Sequence, residues 1–242
     1  MGIKQLILVV ITLVLTMPSY GKQLWSDNSL ALWRGTDFKL GDNNRTVLTY
    51  EHVSGHSWGD IFMFTDRVES DNGDKETYWE VSPRLSISKV FDTELKGGVI
   101  NDVLITTTTE IATSVTNYLY GPAIDLDIPG FAVFQLNFYR RNNETQKNNW
   151  QLTPVWAIPF SVAGMDLSYE GFADWSSGSE DGHAVLNFTS ELKLDIGVFF
   201  GEPKALYAGI KYIFIENKFG IEDDANNDTN ERNLTASIEV HF

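Results

Sequence analysis

The run at 60–66, DIFMFTD, sets Asp60, Phe62, Phe64 and Asp66 against Ile61, Met63 and Thr65 at period two. On an extended strand, alternate residues share a face, so two aromatic rings and two carboxylates stand together opposite an apolar face. Aspartate is costly toward lipid, so in a membrane barrel this face is lumenal. Aromatic rings on a channel wall can stack flat solutes without reading their edges, because every base has a π-face. The plainer reading of Phe62 and Phe64 is packing around an inward loop, since the interiors of small barrels are often filled. Tyr139 and Phe172 follow the same parity.

Charged residues of the same parity recur along the chain: Glu51, Asp60, Asp66, Glu80, Glu170, Glu191, Asp195 and Glu239, with Arg84, Lys193 and Lys211. Unpaired charges in a narrow interior are expensive, so cross-strand ion pairs are expected for many of them. As a set they are acid-rich, and an acidic lumen disfavours anions, so nucleotides should pass less well than neutral nucleosides. The expected solute-binding set is Asp60, Phe62, Phe64, Asp66, Glu80, Arg84, Tyr139, Glu170, Phe172, Glu191, Lys193 and Lys211.

Other chemistry is weakly supported. Cysteine is absent and the 4 histidines are scattered, so no thiolate site exists and no zinc site or cofactor is expected. The runs at 71–74 (DNGD) and 222–228 (EDDANND) have the composition of calcium loops but lack the spacing of an EF-hand. They read as solvated external loops that divalent ions could bridge to neighbouring lipopolysaccharide. Serine–histidine hydrolysis on a lipid-facing surface is the enzymatic alternative. His52, His56, His183 and His241 show no Ser–His–acid spacing, although triads are spatial rather than sequential. No catalytic residue is expected.

The elements that would hold such a lumen alternate strictly. In 233–242 (NLTASIEVHF), Leu234, Ala236, Ile238, Val240 and Phe242 oppose Asn233, Thr235, Ser237, Glu239 and His241. The same pattern places twelve strands near 29–40, 44–53, 58–68, 77–90, 99–110, 114–126, 131–142, 150–160, 165–175, 183–196, 204–217 and 233–242. Every second link is a short turn, at 54–57, 127–130, 161–164 and 201–203, with 92–98 a longer member of that set. Most of the others are polar loops, at 69–76, 141–149, 176–182 and 218–232. Strands of about ten residues suit a tilted crossing of the hydrocarbon layer. Short turns at one end and longer loops at the other describe an all-β, twelve-stranded antiparallel transmembrane β-barrel, an up-and-down meander with both termini in the periplasm. A soluble sandwich or lipocalin-like barrel is the competing fold, since it too has one apolar face.

Residues 1–21 carry Lys4, the apolar run 6–17 and small residues at Ser19 and Gly21, the marks of a secretory signal peptide cleaved after Gly21. Residues 22–242 form the barrel domain. Export without cysteine fits a Gram-negative envelope, and the final Phe242 is the aromatic ending typical of outer-membrane barrels. A formal charge of −15 opposes any grip on nucleic acid. Aromatic residues make up 13% and mean hydropathy is −0.17, which excludes a bundle of membrane helices.

Six stretches resemble the nucleoside-specific outer-membrane channel family of the Tsx and OmpK type: 35–41 (GTDFKLG), 45–66 (RTVLTYEHVSGHSWGDIFMFTD), 82–90 (SPRLSISKV), 125–141 (DLDIPGFAVFQLNFYRR), 150–160 (WQLTPVWAIPF) and 170–175 (EGFADW). The likeness is nearer the OmpK-like branch. The resemblance implies a twelve-stranded monomeric barrel in the outer membrane that passes nucleosides by diffusion and also serves as a phage or colicin receptor. It carries no nucleoside-contacting residue onto this chain. A lipid hydrolase and a plugged-barrel adhesin are the alternative functions.

Overall fold

A computed structural model describes residues 21–93, 95 and 97–242; the expected signal peptide lies outside the described residues, apart from Gly21. Twelve antiparallel strands close into one barrel: β1 (Gln23–Gly35), β2 (Arg45–His56), β3 (Gly59–Ser70), β4 (Lys75–Ser86), β5 (Ile100–Ile111), β6 (Thr116–Leu126), β7 (Val133–Asn142), β8 (Trp150–Val162), β9 (Met165–Ser176), β10 (Val185–Asp195), β11 (Leu206–Glu216) and β12 (Glu231–His241). Each strand pairs with its neighbours in sequence, and β12 returns to β1. The order is the expected meander.

The distribution of side chains is inverted relative to a water-soluble protein. Along β12, Glu231 is 1% exposed and Asn233 2%, while Leu234, next after Asn233, is 73% exposed. Arg84, Glu191, Lys193, Asp195 and Glu239 are buried, while Leu32, Leu48, Trp79, Ile105, Trp150, Trp175 and Ile210 are exposed. An apolar face this wide left bare in water would aggregate, whereas a lipid-facing barrel requires it. The soluble sandwich and lipocalin-like alternatives fail on this observation.

Several boundaries differ from the sequence reading. β1 runs at 23–35 rather than 29–40. Leu40 and Gly41 have positive φ, and residues 36–44 leave the strand and fold over the lumen. The fourth strand stops at Ser86, because its hydroxyl caps a short helix, α1 (Ile87–Phe91), accepting the Lys89 amide at 3.1 Å. Of the expected long loops, 69–76 is only the turn 71–74, since Glu69 and Lys75 continue the ladder. Conversely, the link after β10 spans 196–205 and contains a 3-10 turn, Gly197–Phe200. The turn expected at 54–57 is confined to Ser57 and Trp58, and Ser54 stays in β2. The β8–β9 link is two residues, Ala163 and Gly164, with φ of 53° and 79°. That is the backbone of the hairpin turn whose twist matches its strands.

One seam is shorter than the rest. β1 and β12 pair over only Ser29–Trp33 against Ser237–His241, whereas β11 and β12 pair from Leu206↔Val240 to Ile215↔Glu231. Above Trp33, side chains replace the ladder. Asn233 Oδ1 accepts the amides of Thr36 (3.0 Å) and Asp37 (2.8 Å), Glu231 accepts that of Lys39 (3.1 Å), and the Thr235 hydroxyl donates to the Arg34 carbonyl. Phe38 is thereby drawn inside the barrel, where it packs with Trp33, Val47 and Ile213.

Candidate lumenal binding site

Register fixes which side chains meet inside. Thr49 pairs with Asp66, and its hydroxyl donates to that carboxylate at 2.5 Å. Even-numbered residues of β3 therefore face the lumen with odd-numbered residues of β2. Carried around the ladder, the same pairing puts all twelve expected residues on the inner face: Asp60, Phe62, Phe64 and Asp66 on β3; Glu80 and Arg84 on β4; Tyr139 on β7; Glu170 and Phe172 on β9; Glu191 and Lys193 on β10; and Lys211 on β11. They do not form one cluster.

Toward the short-turn end of β3 and β4, Arg84 is clamped. Its Nε and Nη2 reach Asp60 at 2.8 and 2.7 Å, and its Nη1 reaches Asp125 on β6 at 2.8 Å. A bidentate guanidinium–carboxylate fork is rigid and directional, so this trio ties three strands together. Tyr139 is also structural: its hydroxyl lies 3.0 Å from Thr106 Oγ1 and accepts from Thr108 Oγ1 at 3.3 Å on β5, and all three side chains are buried.

On the β9–β12 wall, Lys193 sits between two carboxylates. It pairs with Glu170 and, at 3.0 Å, with Glu239. Lys211 pairs with Glu191 at 3.3 Å and lies 5.2 Å from the centre of the Trp33 ring. His241 joins Asp27 at 2.7 Å to Glu239 at 3.0 Å, across the seam. The cross-strand pairing expected for lumenal charges is thus what these residues do.

The β2–β4 wall is different. Phe62 and Phe64 lie 5.9 Å apart between ring centres, and Phe64 lies 5.8 Å from Tyr78, giving a continuous aromatic track. Phe62 is 37% exposed. Glu51 is the cross-strand partner of Phe64, and it makes no hydrogen bond or ion pair with a described residue. Glu51 and Asp66 both act electrostatically on Lys211 of the other wall. The β2–β4 wall thus carries rings and carboxylates, and the β9–β12 wall carries lysine–glutamate pairs, with Phe172 on the inner face between Val155 and Thr189.

Residues 25–241 match the family model described as nucleoside-specific channel-forming protein, Tsx. The chain belongs to that family. It is 26% identical over 140 residues to outer membrane protein OmpK of Vibrio parahaemolyticus, covering 55% of this chain and 53% of that protein. It is 25% identical over 180 residues to nucleoside-specific channel-forming protein Tsx of Escherichia coli O157:H7, covering 59% of this chain and 58% of that one. The matches thus span little more than half the length of these curated relatives. Among solved structures, a KdgM porin superposes with a TM-score of 0.53 at 8% identity, over 88% of this chain and 99% of the porin. That likeness concerns the fold alone.

The Tsx-family barrel also contains lumenal groups that the sequence reading passed over. Arg141 pairs with Glu110 at 2.7 Å and also donates to Gln151, while Asp174 accepts from Thr153 at 2.5 Å and from Gln151 at 3.0 Å. Tyr78 donates to Glu80 at 2.7 Å, which commits Glu80 to a structural contact. The signal was available: Arg141 stands two residues past Tyr139, Asp174 two past Phe172, and Tyr78 two before Glu80.

On its outer surface, near the short-turn end, the Tsx-family barrel brings together a set that spacing did not show. Asn28 Oδ1 lies 2.9 Å from His52 Nδ1, His52 Nε2 lies 3.0 Å from Ser54 Oγ, and Ser54 Oγ lies 2.9 Å from His56 Nε2. Nucleophile, base and orienter are the parts of a hydrolytic triad. Ser54, however, is only 1% exposed beneath its two histidines, so an ester carbonyl cannot reach its oxygen. The set stitches the β1–β2 pair.

Proposed function

We propose that the chain is an outer-membrane channel through which nucleosides and similar small neutral solutes diffuse, with residues 1–21 directing export and then removed. The observation that carries this reading is the track of Phe62, Phe64 and Tyr78 beside the uncommitted carboxylate of Glu51 and that of Asp66. A purine or pyrimidine stacks on the rings, while ribose hydroxyls donate to the carboxylates. Stacking one base on one aromatic ring is worth about 1–3 kcal/mol, enough to enrich a dilute solute without holding it. Carboxylates facing the passage repel phosphate, so nucleotides are disfavoured. Family membership supports the same solute class.

The test is liposome swelling with adenosine, its monophosphate and a sugar of matched size. Adenosine should enter fastest. Phe62→Ala combined with Phe64→Ala should slow entry of dilute adenosine by about tenfold, narrow the difference at saturating adenosine, and leave the sugar unchanged or faster. Unaltered entry of dilute adenosine in the double variant would make these rings packing and place selectivity elsewhere.

A further inference from the structure

The outer rim over β7, β8 and β9 carries a feature unconnected with the lumen. Register sets Tyr120, Arg140 and Trp150 side by side in one outward row, and Phe138, Leu152 and Trp175 in the next row toward the membrane centre. Trp150 is 60% exposed, Trp175 48% and Phe138 41%. The Arg140 guanidinium carbon lies 5.0 Å from the centre of the Trp150 ring, and the group spends one weak N–H contact, 3.4 Å, on the Asn149 carbonyl. Above it opens a cleft of about 540 Å³ between the β7–β8 and β9–β10 loops, lined by Arg140, Gln146, Lys147, Asn148, Ser179 and Glu180.

Several cations elsewhere on the rim are paired, although Arg232 also lies over a ring, 5.4 Å from the centre of Phe214, without an ion pair among the described residues. Arg34 is paired with Asp71 at 2.6 Å, and Arg67 and Lys75 share Glu69 at 3.9 and 3.0 Å. Arg141, next in sequence but facing inward, is paired with Glu110. Neither Arg140 nor the Lys147 ammonium group has an ion pair among the described residues. Asp181, the acid nearest the Lys147 backbone, is already engaged by the Ser179 hydroxyl at 2.7 Å and the Lys147 amide at 3.0 Å. Arg140, over the exposed Trp150 ring, and Lys147, in the cleft lining and within electrostatic reach of Asp181, thus stand without ion pairs at the membrane edge of a chain whose formal charge is −15. A chain so acidic repels an anionic surface in general, so attraction must be local.

We propose that this rim binds the phosphorylated head group of a glycolipid of the outer leaflet. A guanidinium lying on an indole keeps its N–H edge free for a bidentate phosphate contact, and Lys147 adds a second charge across the cleft. The cleft is of a size that holds a sugar phosphate. Acyl chains descend over the exposed Phe138 and Trp175 and the half-buried Leu152, and tryptophan at this depth suits the boundary between hydrocarbon and head groups.

The test uses the full barrel refolded in a zwitterionic detergent and measured by native mass spectrometry, with bisphosphorylated lipid A, dephosphorylated lipid A and inorganic phosphate as probes. Bisphosphorylated lipid A should bind, its dephosphorylated form should bind at least about tenfold more weakly, and inorganic phosphate in large excess should not displace it. Arg140→Ala with Lys147→Ala should reproduce the loss, while heat-modifiable migration on gels reports that the variant is folded. Equal binding of the two lipids, equal binding by the folded double variant, or displacement by free phosphate would each overturn the proposal. The comparison of the two lipids needs only the unaltered protein, so a variant that fails to fold leaves the decision intact. Transport is not read in any arm.

Discussion

Replacing Lys193 by methionine removes the single cation between Glu170 and Glu239. The Lys193 side chain is 8% exposed, that of Glu239 6% and that of Glu170 33%. Breaking a buried pair by deleting one partner costs about 3–5 kcal/mol, because the other charge stays behind without compensation. Here water reaches Glu170, and His241 still contacts Glu239 at 3.0 Å, so the expected loss is at the low end, about 3 kcal/mol. With an unfolding slope of about 2–3 kcal/mol per molar urea, the midpoint falls by about 1–1.5 M. The assay is urea unfolding of barrels reconstituted in lipid vesicles, followed by tryptophan fluorescence and gel mobility. A companion variant, Lys193→Met with Glu170→Gln and Glu239→Gln, should recover to within about 1 kcal/mol of the parent, since removing every charge removes the penalty. A loss in the single variant below about 1 kcal/mol, the worth of an exposed pair, would refute the reasoning and mean that this wall is fully hydrated.

Phe38→Ala should destabilise by about 3 kcal/mol or more, because the ring is buried against Trp33 at 5.9 Å. It should also raise single-channel conductance in planar bilayers, as residues 36–44 lose their inward anchor. Gly209→Ala should lower the free energy of unfolding by about 1–3 kcal/mol, because a Cβ there would collide with Glu191 Oε1 and Ser237 Oγ. For acid titration, the Asp42 carboxylate accepts the amides of Asn44 at 2.9 Å and Asn72 at 2.6 Å, which hold its pKa below the ordinary 3.8. A depressed folded pKa means the contact is fully present above the ordinary value and is lost only as pH falls through the lowered one. Protection of the Asn72 amide from hydrogen exchange should therefore persist at pH 3.8, where an ordinary aspartate is half protonated, and Asp42→Ala should abolish it at neutral pH.

The barrel and its parity were legible because lipid on one side and ion-paired side chains on the other leave period two almost unbroken, as in 233–242. Where a different force acts, the alternation misleads. Residues 36–40 looked like strand, yet Phe38 alternates only because it packs inward from a loop. Ile87 continues the pattern of Trp79, Val81 and Leu85, but the Ser86 cap turns the chain into α1. For the lumen, sequence gave the face on which each residue stands and not its commitments. Glu80 and Arg84 look alike as polar wall residues; Tyr78, two residues away on the same strand, occupies the first, and only the barrel's closure shows that Asp60 and Asp125 occupy the second. Glu51, which is left without a partner among the described residues, differs from Glu191 in nothing local; the difference lies on the neighbouring strand, where Phe64 stands opposite Glu51 and Lys211 opposite Glu191.

The abbreviated pairing of β1 with β12 bears on how the cylinder is made and undone. Opening a closed ladder requires rupturing one inter-strand zipper along its whole length, and rupture starts where the fewest main-chain bonds resist. Only the stretch Ser29–Trp33 against Ser237–His241 offers that ladder at this join, and the rest is held by Asn233, Thr235 and Glu231 side chains. These strands are also the first and last described segments of the chain, so during insertion they meet after every hairpin has already formed its local partner. The join is thus both the final weld and the mechanical fault line. Under force or denaturant the sheet should unroll from there, with the central hairpins surviving longest.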